Sequence, residues 1–132
     1  MPYLIDTNIA IHVLDGTESV LDALAAHDGE VLLSSLSLAE LQRSVFKEPK
    51  FTALRQARLE VLLRGIPVLP FDAAAALAYG RIIVQCGWAR GRDFDRMIAA
   101  HAITVGAVLV TDNEADFRDV PALRAVNWKT GK

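Results

Sequence analysis

The chain has a single cysteine, Cys86, which excludes an intramolecular disulfide and a multi-cysteine zinc site. A reducing, cytoplasmic setting is the expectation. Its three histidines, His12, His27 and His101, are scattered, and no H-E-x-x-H or Ser/His/Asp pattern links them to a nucleophile. His12 is read as partly buried and His101 as a helix residue, neither of them catalytic. Neither G-x-G-x-x-G nor G-x-x-x-x-G-K-[ST] occurs, which argues against dinucleotide and P-loop nucleotide sites. Apolar runs fall well short of the roughly 20 residues that span a bilayer, and the basic start and long apolar stretch of a signal peptide are missing, so no membrane association is expected. Positive charge is not in excess either. With a net charge of −2, any grip on nucleic acid must come from a local site rather than from general attraction to phosphates.

What is present is the composition of a folded globule: 132 residues, 52% hydrophobic and 23% charged. Residues 1–132 fit a single domain, with no linker or low-complexity segment to divide them. Tyr3–Ile5 is a short apolar run halted by Asp6-Thr7-Asn8, after which Ile9, Ala10, Val13 and Leu14 recur at helical spacing. That predicts a strand followed by a helix. Val20–Ala26 predicts a second helix, closed by His27-Asp28-Gly29 before the apolar strand Val31–Leu33. Ser34-Ser35-Leu36-Ser37 offers N-caps for a helix bearing Leu38, Leu41 and Val45 on one stripe, with Pro49 marking its end or the start of the next segment.

Phe51–Arg64 continues helically, Ile66–Pro70 has strand character with prolines near both ends, and Asp72 caps an alanine-rich helix reaching about Cys86. Beyond the polar loop Gly87–Arg92, Asp93–Val105 is helical, with Asp93 as its cap, and Ala107–Val110 reads as a buried strand. Thr111-Asp112-Asn113 then echoes the capping chemistry of Asp6-Thr7-Asn8, and a last short strand is placed near Arg124–Asn127. Strands alternating with helices predict an α/β fold, a mainly parallel central sheet covered by helices on both faces. In such sheets ligands bind at the C-terminal ends of strands. The two polar trios fall at such ends.

Four positions there have the chemistry of a cation site. Asp6 ends a strand and opens a helix, where unpaired backbone N–H groups favour a carboxylate; by itself it reads as a helix cap, and a cap can also be a ligand. Glu40 sits among Leu36, Leu38, Ala39 and Leu41, and a partly buried carboxylate needs a cation or hydrogen-bond partner. Asp95 lies in the first turn of its helix, on a face shared with Ile98, Ala99 and Ala102. Asn113, with Asp112, Glu114 and Asp116 nearby, offers a fourth oxygen. Two carboxylates about 4 Å apart repel by roughly 4 kcal/mol at an effective dielectric of 20, so a cluster of them implies a cation. Oxygen ligands without a His/Cys set suit Mg²⁺ or Mn²⁺. Arg81, Arg90, Arg92 and Arg96 flank the acids and are candidates for phosphate contacts, Arg92 and Arg96 foremost, with Thr111 beside them.

Taken together, Tyr3-Leu4-Ile5-Asp6-Thr7-Asn8, Ser34-Ser35-Leu36-Ser37-Leu38-Ala39-Glu40-Leu41, Phe94-Asp95-Arg96-Met97-Ile98-Ala99-Ala100-His101 and Val110-Thr111-Asp112-Asn113 with Asp116-Phe117 resemble the PIN domain. More narrowly, they resemble the VapC toxins of bacterial type II toxin–antitoxin systems. The resemblance implies a three-layer α/β/α sandwich and an endoribonuclease whose Asp6, Glu40 and Asp95 hold Mg²⁺ or Mn²⁺. It implies an RNA substrate, a VapB-type antitoxin as partner, and a homodimer. Many PIN domains carry a further acid where this chain has Asn113, so Asp112 or Asp116 is the candidate substitute. Two other readings compete: a non-catalytic PIN-like interaction module, and an aspartate-based phosphoryl-transfer or receiver-like domain. The second is disfavoured by Asn8, because an aspartate-nucleophile phosphatase usually shows Asp-x-Asp after the strand.

Overall fold

The structure is a computed structural model that describes residues 1–130. Five strands form one all-parallel sheet: β1 (Tyr3–Ile5), β2 (Val31–Ser34), β3 (Val68–Leu69), β4 (Val108–Val110) and β5 (Ala125–Val126), in spatial order β3-β2-β1-β4-β5. β1 is central, pairing Ile5 with Leu33 on one side and with Val110 on the other. The next strand in sequence lies on one flank of β1 and β4 on the other, which makes the C-terminal end of β1 the switch point of the sheet.

Among the described residues, six helices cover the sheet: α1 (Thr7–Asp15), α2 (Glu18–Ala26), α3 (Ser35–Phe46), α4 (Thr52–Gly65), α5 (Ala73–Cys86) and α6 (Asp93–Thr104). Successive strand residues point to opposite faces, and the core divides accordingly. Ile5, Leu33 and Val110 join Ile9, Leu14, Leu41, Val45 and Leu62 from α1, α3 and α4. Leu4 and Leu109 join Ala78, Ile82, Ile98 and Ala102 from α5 and α6 on the other side. The expected three-layer α/β/α sandwich with a parallel sheet is what the chain adopts.

Boundaries differ where the local signals compete. Phe51, expected to start the fourth helix, instead ends a separate 3-10 turn, Pro49–Phe51, and α4 begins at Thr52. The third strand is only Val68–Leu69, and the last only Ala125–Val126. α6 follows Arg92 without a side-chain cap, because the Asp93 carboxylate does not cap its helix. It accepts instead from the Tyr79 hydroxyl at 2.9 Å and the Trp88 indole N–H at 2.6 Å, which joins the start of α6 to α5 and to the loop between them.

Candidate active site

Asp6 directly follows β1, and its own N–H donates to the Val110 carbonyl at 2.9 Å, so the strand pairing sets its position. Its carboxylate accepts from the Ile9 N–H at 2.9 Å and caps α1. The residue is 9% exposed. Burial raises its carboxyl from the ordinary 3.8 to about 6, opposed by hydrogen bonds from the Thr111 hydroxyl and the Ile9 amide, and reinforced by Asp112 and Asp95. Thr111 is fully buried, and its oxygen also accepts from the Asn113 N–H at 3.1 Å. It therefore ties the end of β4 to Asp6 and is closed to a substrate.

Glu40 and Asp95 arrive from α3 and α6, both half-buried. Asp95 is also raised above the usual carboxylate range, by burial first and then by Asp116 and Glu40, while Arg92 and Arg96 pull it down. Asp6, Glu40 and Asp95 line one cavity of about 250 Å³ together with Thr7, Asn8, Gly91, Phe94 and Ile98. A larger hollow of about 430 Å³ between α1, α2 and α4 is walled by Leu14, Leu24, Val61 and Leu62, and none of the three acids borders it.

Several residues on this rim carry no clear signal in the sequence. The Thr7 hydroxyl donates to Ser37 Oγ at 3.1 Å, joining the start of α1 to α3 one turn before Glu40. Only the period of α3, which puts Ser37 and Glu40 three residues apart on one face, hints at this. Asn8 and Glu40 also border a neighbouring groove of about 330 Å³ that carries Arg43, Lys47 and Arg55. Arg55 is engaged by Glu48 and the Ser44 carbonyl, whereas among the described residues Arg43 and Lys47 form no ion pair. His12, expected to be partly buried and non-catalytic, links Thr17 to Asp112, with Nε2 3.1 Å from the Asp112 carboxylate. Buried His101 contacts Ser34 Oγ at 2.8 Å, and burial holds its imidazole below the ordinary value, so it is a neutral brace between α6 and β2.

The remaining expected positions divide. Asn113 is exposed and its amide is paired with Asp116, outside the cavity wall. Asp116 and Asp112 are the acids whose charge reaches Asp95 and Asp6, respectively. Arg92 is exposed beside the cavity. Arg96 does not share that wall: it is 6% exposed, and its Nη2 donates to Asp119 at 2.8 Å. Consecutive helix residues point about 100° apart, so with Asp95 facing the sheet edge Arg96 turns toward the segment after β4. Its expected contact with substrate phosphate is replaced by this internal ion pair.

Among the described residues, no three His, Cys, Asp or Glu side chains converge closely enough to cage a metal ion. The donor set nevertheless suits a hard cation, being all oxygen and built from acids that raise one another's pKa. Mg²⁺ in particular is commonly held by one or two carboxylates and keeps several waters, which asks for a polar cavity rather than a closed cage.

Comparison with known proteins gives a consistent result over almost the whole chain. The PIN domain family profile matches residues 3–123. Ribonuclease VapC2 of Rickettsia felis is 34% identical over 97% of this chain and 98% of its own length. The tRNA(fMet)-specific endonuclease VapC of Shigella flexneri is 33% identical over the same shares. Among solved structures, VapBC2 from Rickettsia felis bound to a DNA fragment from their promoter superposes with a TM-score of 0.85 at 32% identity, covering 97% of this chain and 99% of that one. DNA-bound VapBC from Salmonella typhimurium gives 0.86 at 28% identity, covering 97% and 98%.

Proposed function

The chain belongs to the PIN domain family, in its VapC branch, and from that premise we propose that it is a metal-dependent endoribonuclease, the toxin of a VapBC-type pair. One observation carries the catalytic part of this reading. Carboxylates from three separate elements, Asp6, Glu40 and Asp95, border one cavity at the C-terminal edge of the sheet, and the most buried of them is pushed up to about 6. That cost to the fold has a purpose if a cation offsets it.

Asp6 and Asp95 are the residues that would hold Mg²⁺ or Mn²⁺, with Glu40 completing the shell or orienting a water. Such an ion, when bound, makes water more acidic and neutralises charge developing on phosphate oxygens. The chain's own contribution is positional. The Ile9 N–H and Thr111 hydroxyl aim Asp6 and favour its ionised form, while Arg92 does the same for Asp95 from the cavity mouth. Where Glu40, facing the same space from α3, orients the water rather than completing the shell, it would take that water's proton as the new P–O bond forms and the P–O bond to the in-line ribose oxygen breaks, the leaving oxygen gaining a proton from solvent. Arg43 and Lys47, in the groove that shares Asn8 and Glu40 with the cavity, supply the phosphate contacts that a net charge of −2 does not.

A single-stranded or loop segment of RNA suits so narrow a site. Because one relative is a tRNA(fMet)-specific endonuclease, initiator tRNA is the first substrate to try. The partner in this reading is a VapB-type antitoxin, supported by the VapBC neighbours, and the apolar hollow between α1, α2 and α4 offers a seat for it. A homodimer completes the reading: Leu77 and Val84 stand exposed on α5, and the mass of the purified chain in solution tests whether a second copy covers them. The catalytic test is cleavage of initiator tRNA with Mg²⁺ or Mn²⁺. Cleavage that needs the ion and disappears in Asp6→Asn is expected; equal cleavage in EDTA, or by that variant, overturns the mechanism.

A further inference from the structure

The loop between α5 and α6 holds an exposed aromatic ring, Trp88, and the same loop carries Gly91, which lines the acidic cavity. Trp88 is 60% exposed, yet its orientation is constrained, since its indole N–H donates to Asp93 Oδ1 at 2.6 Å. The Tyr79 hydroxyl donates to the same oxygen at 2.9 Å, fixing Asp93 against α5. Three residues further, Gly91 adopts a φ of +82° and lines the acidic cavity, so the Cα atoms of Trp88 and Gly91 are at most about 11 Å apart. Arg90 and Arg92 project from the same loop, are exposed, and form no ion pair among the described residues. Arg92 is near enough to pull the Asp95 carboxyl down.

We propose that Trp88 is a stacking platform for an unpaired RNA base next to the scissile phosphate, with Arg90 and Arg92 holding the adjoining backbone. The proposal rests on the ribonuclease reading and deepens it by naming a substrate-positioning residue. An aromatic face held at a fixed angle loses little freedom when a base lies on it, and every base has a face to offer. The neighbouring guanidinium groups favour a polyanion over an apolar peptide on this surface. Stacking demands a base free of its duplex, so the platform selects loops and single strands.

The test uses the full chain carrying Asp6→Asn, which binds without cutting, and an unstructured RNA oligonucleotide of mixed sequence. The protein has two tryptophans, and Trp128 is only 6% exposed, so quenching of fluorescence on titration reports Trp88. Quenching is expected, and it is expected to vanish in Trp88→Phe, which keeps a ring and binds within roughly threefold. Trp88→Leu, whose fold is checked by circular dichroism, is expected to bind about 5- to 100-fold more weakly. In the otherwise intact chain the same change raises KM for RNA and spares kcat. If Trp88→Leu binds RNA as tightly as its parent and no quenching occurs, the platform is overturned even though cleavage persists. Weakened binding of an antitoxin C-terminal peptide with RNA binding unchanged also overturns it, in favour of a protein-facing surface. Quenching and the loss in Trp88→Leu, found in a chain that never cuts RNA, uphold base stacking on Trp88 but overturn its place next to a scissile phosphate together with the catalytic reading.

Discussion

Asp6-Thr7-Asn8 after β1 and Thr111-Asp112-Asn113 after β4 use nearly the same residues at the ends of adjacent parallel strands, yet they build different things. The first opens a nine-residue helix, with its aspartate buried and capping. The second opens only the four-residue 3-10 turn Glu114–Phe117, and its aspartate turns to His12. The divergence comes from the residues downstream of each trio. Ile9, Ala10 and Leu14 give the first an apolar stripe that packs on the core, whereas Phe117 and Val120 are the only buried residues between Asn113 and Pro121, and Pro121 ends any continuation. Capping chemistry starts a helix, but burial of a stripe sustains it. One trio therefore yields a desolvated carboxylate and the other one that stays about one-fifth exposed.

If that difference in burial governs function, the two aspartates should respond unequally to the same change. Asp6→Asn is expected to reduce RNA cleavage by at least about a hundredfold, the scale on which one transition-state-stabilising group matters, while Asp112→Asn keeps it within about tenfold. Single-turnover assays on initiator tRNA decide this. Similar losses for the two variants would erase the comparison, and losses in Glu40→Gln and Asp95→Asn matching Asp6→Asn would extend it to the whole cavity.

Stability should move in the opposite sense. The folded-state pKa of Asp6, about 6, lies above its ordinary 3.8, so its stabilising contribution is fully present below 3.8 and lost as pH rises through about 6. Without divalent ions at pH 7.5, Asp6→Asn is expected to gain up to about 3 kcal/mol, read as a higher Tm. Asp112→Asn should lose about 1 kcal/mol or less, because its partner His12 and Asp112 itself are each about one-fifth exposed. Adding Mg²⁺ or Mn²⁺ should raise the Tm of the unaltered chain but not that of Asp6→Asn, and removing it with EDTA should reverse the gain.

Thr111 joins the two trios, which makes it the finer probe. Thr111→Val removes a hydrogen bond that lowers the Asp6 pKa and leaves the Asn113 N–H without its acceptor. A loss of about 1–2 kcal/mol is expected, together with a shift of the acid limb of the pH–rate profile to higher pH. The smallest effect should be that of His12→Gln, which alters only the Asp112 side: a fraction of a kcal/mol by denaturant titration and no change in the acid limb.

Much of this was legible in the order of residues alone. The apolar run before Asp6 and the helical stripe after it point to the strand, the helix and the cap, and the same logic finds α3 with Glu40 and α6 with Asp95. Less legible were residues whose roles depend on a partner far along the chain. Asp93 has the position of a cap but accepts from Tyr79 and Trp88, and Arg96 has the look of a phosphate contact but pairs with Asp119. Propensity is a property of neighbours in sequence, whereas the choice between two available hydrogen bonds depends on which donors packing brings close.

The order of strands and helices, the burial of both sheet faces and the placing of acids at strand and helix starts come from periodicity and capping chemistry, which act over a few residues. Which acids share a cavity, that Asp6 rather than Asp112 is desolvated, and that Trp88 is tied to Asp93 were decided by the central position of β1 and by the packing of α3, α5 and α6 around it. Desolvation and charge coupling depend on distance through space, and a chain acquires those distances only when it folds.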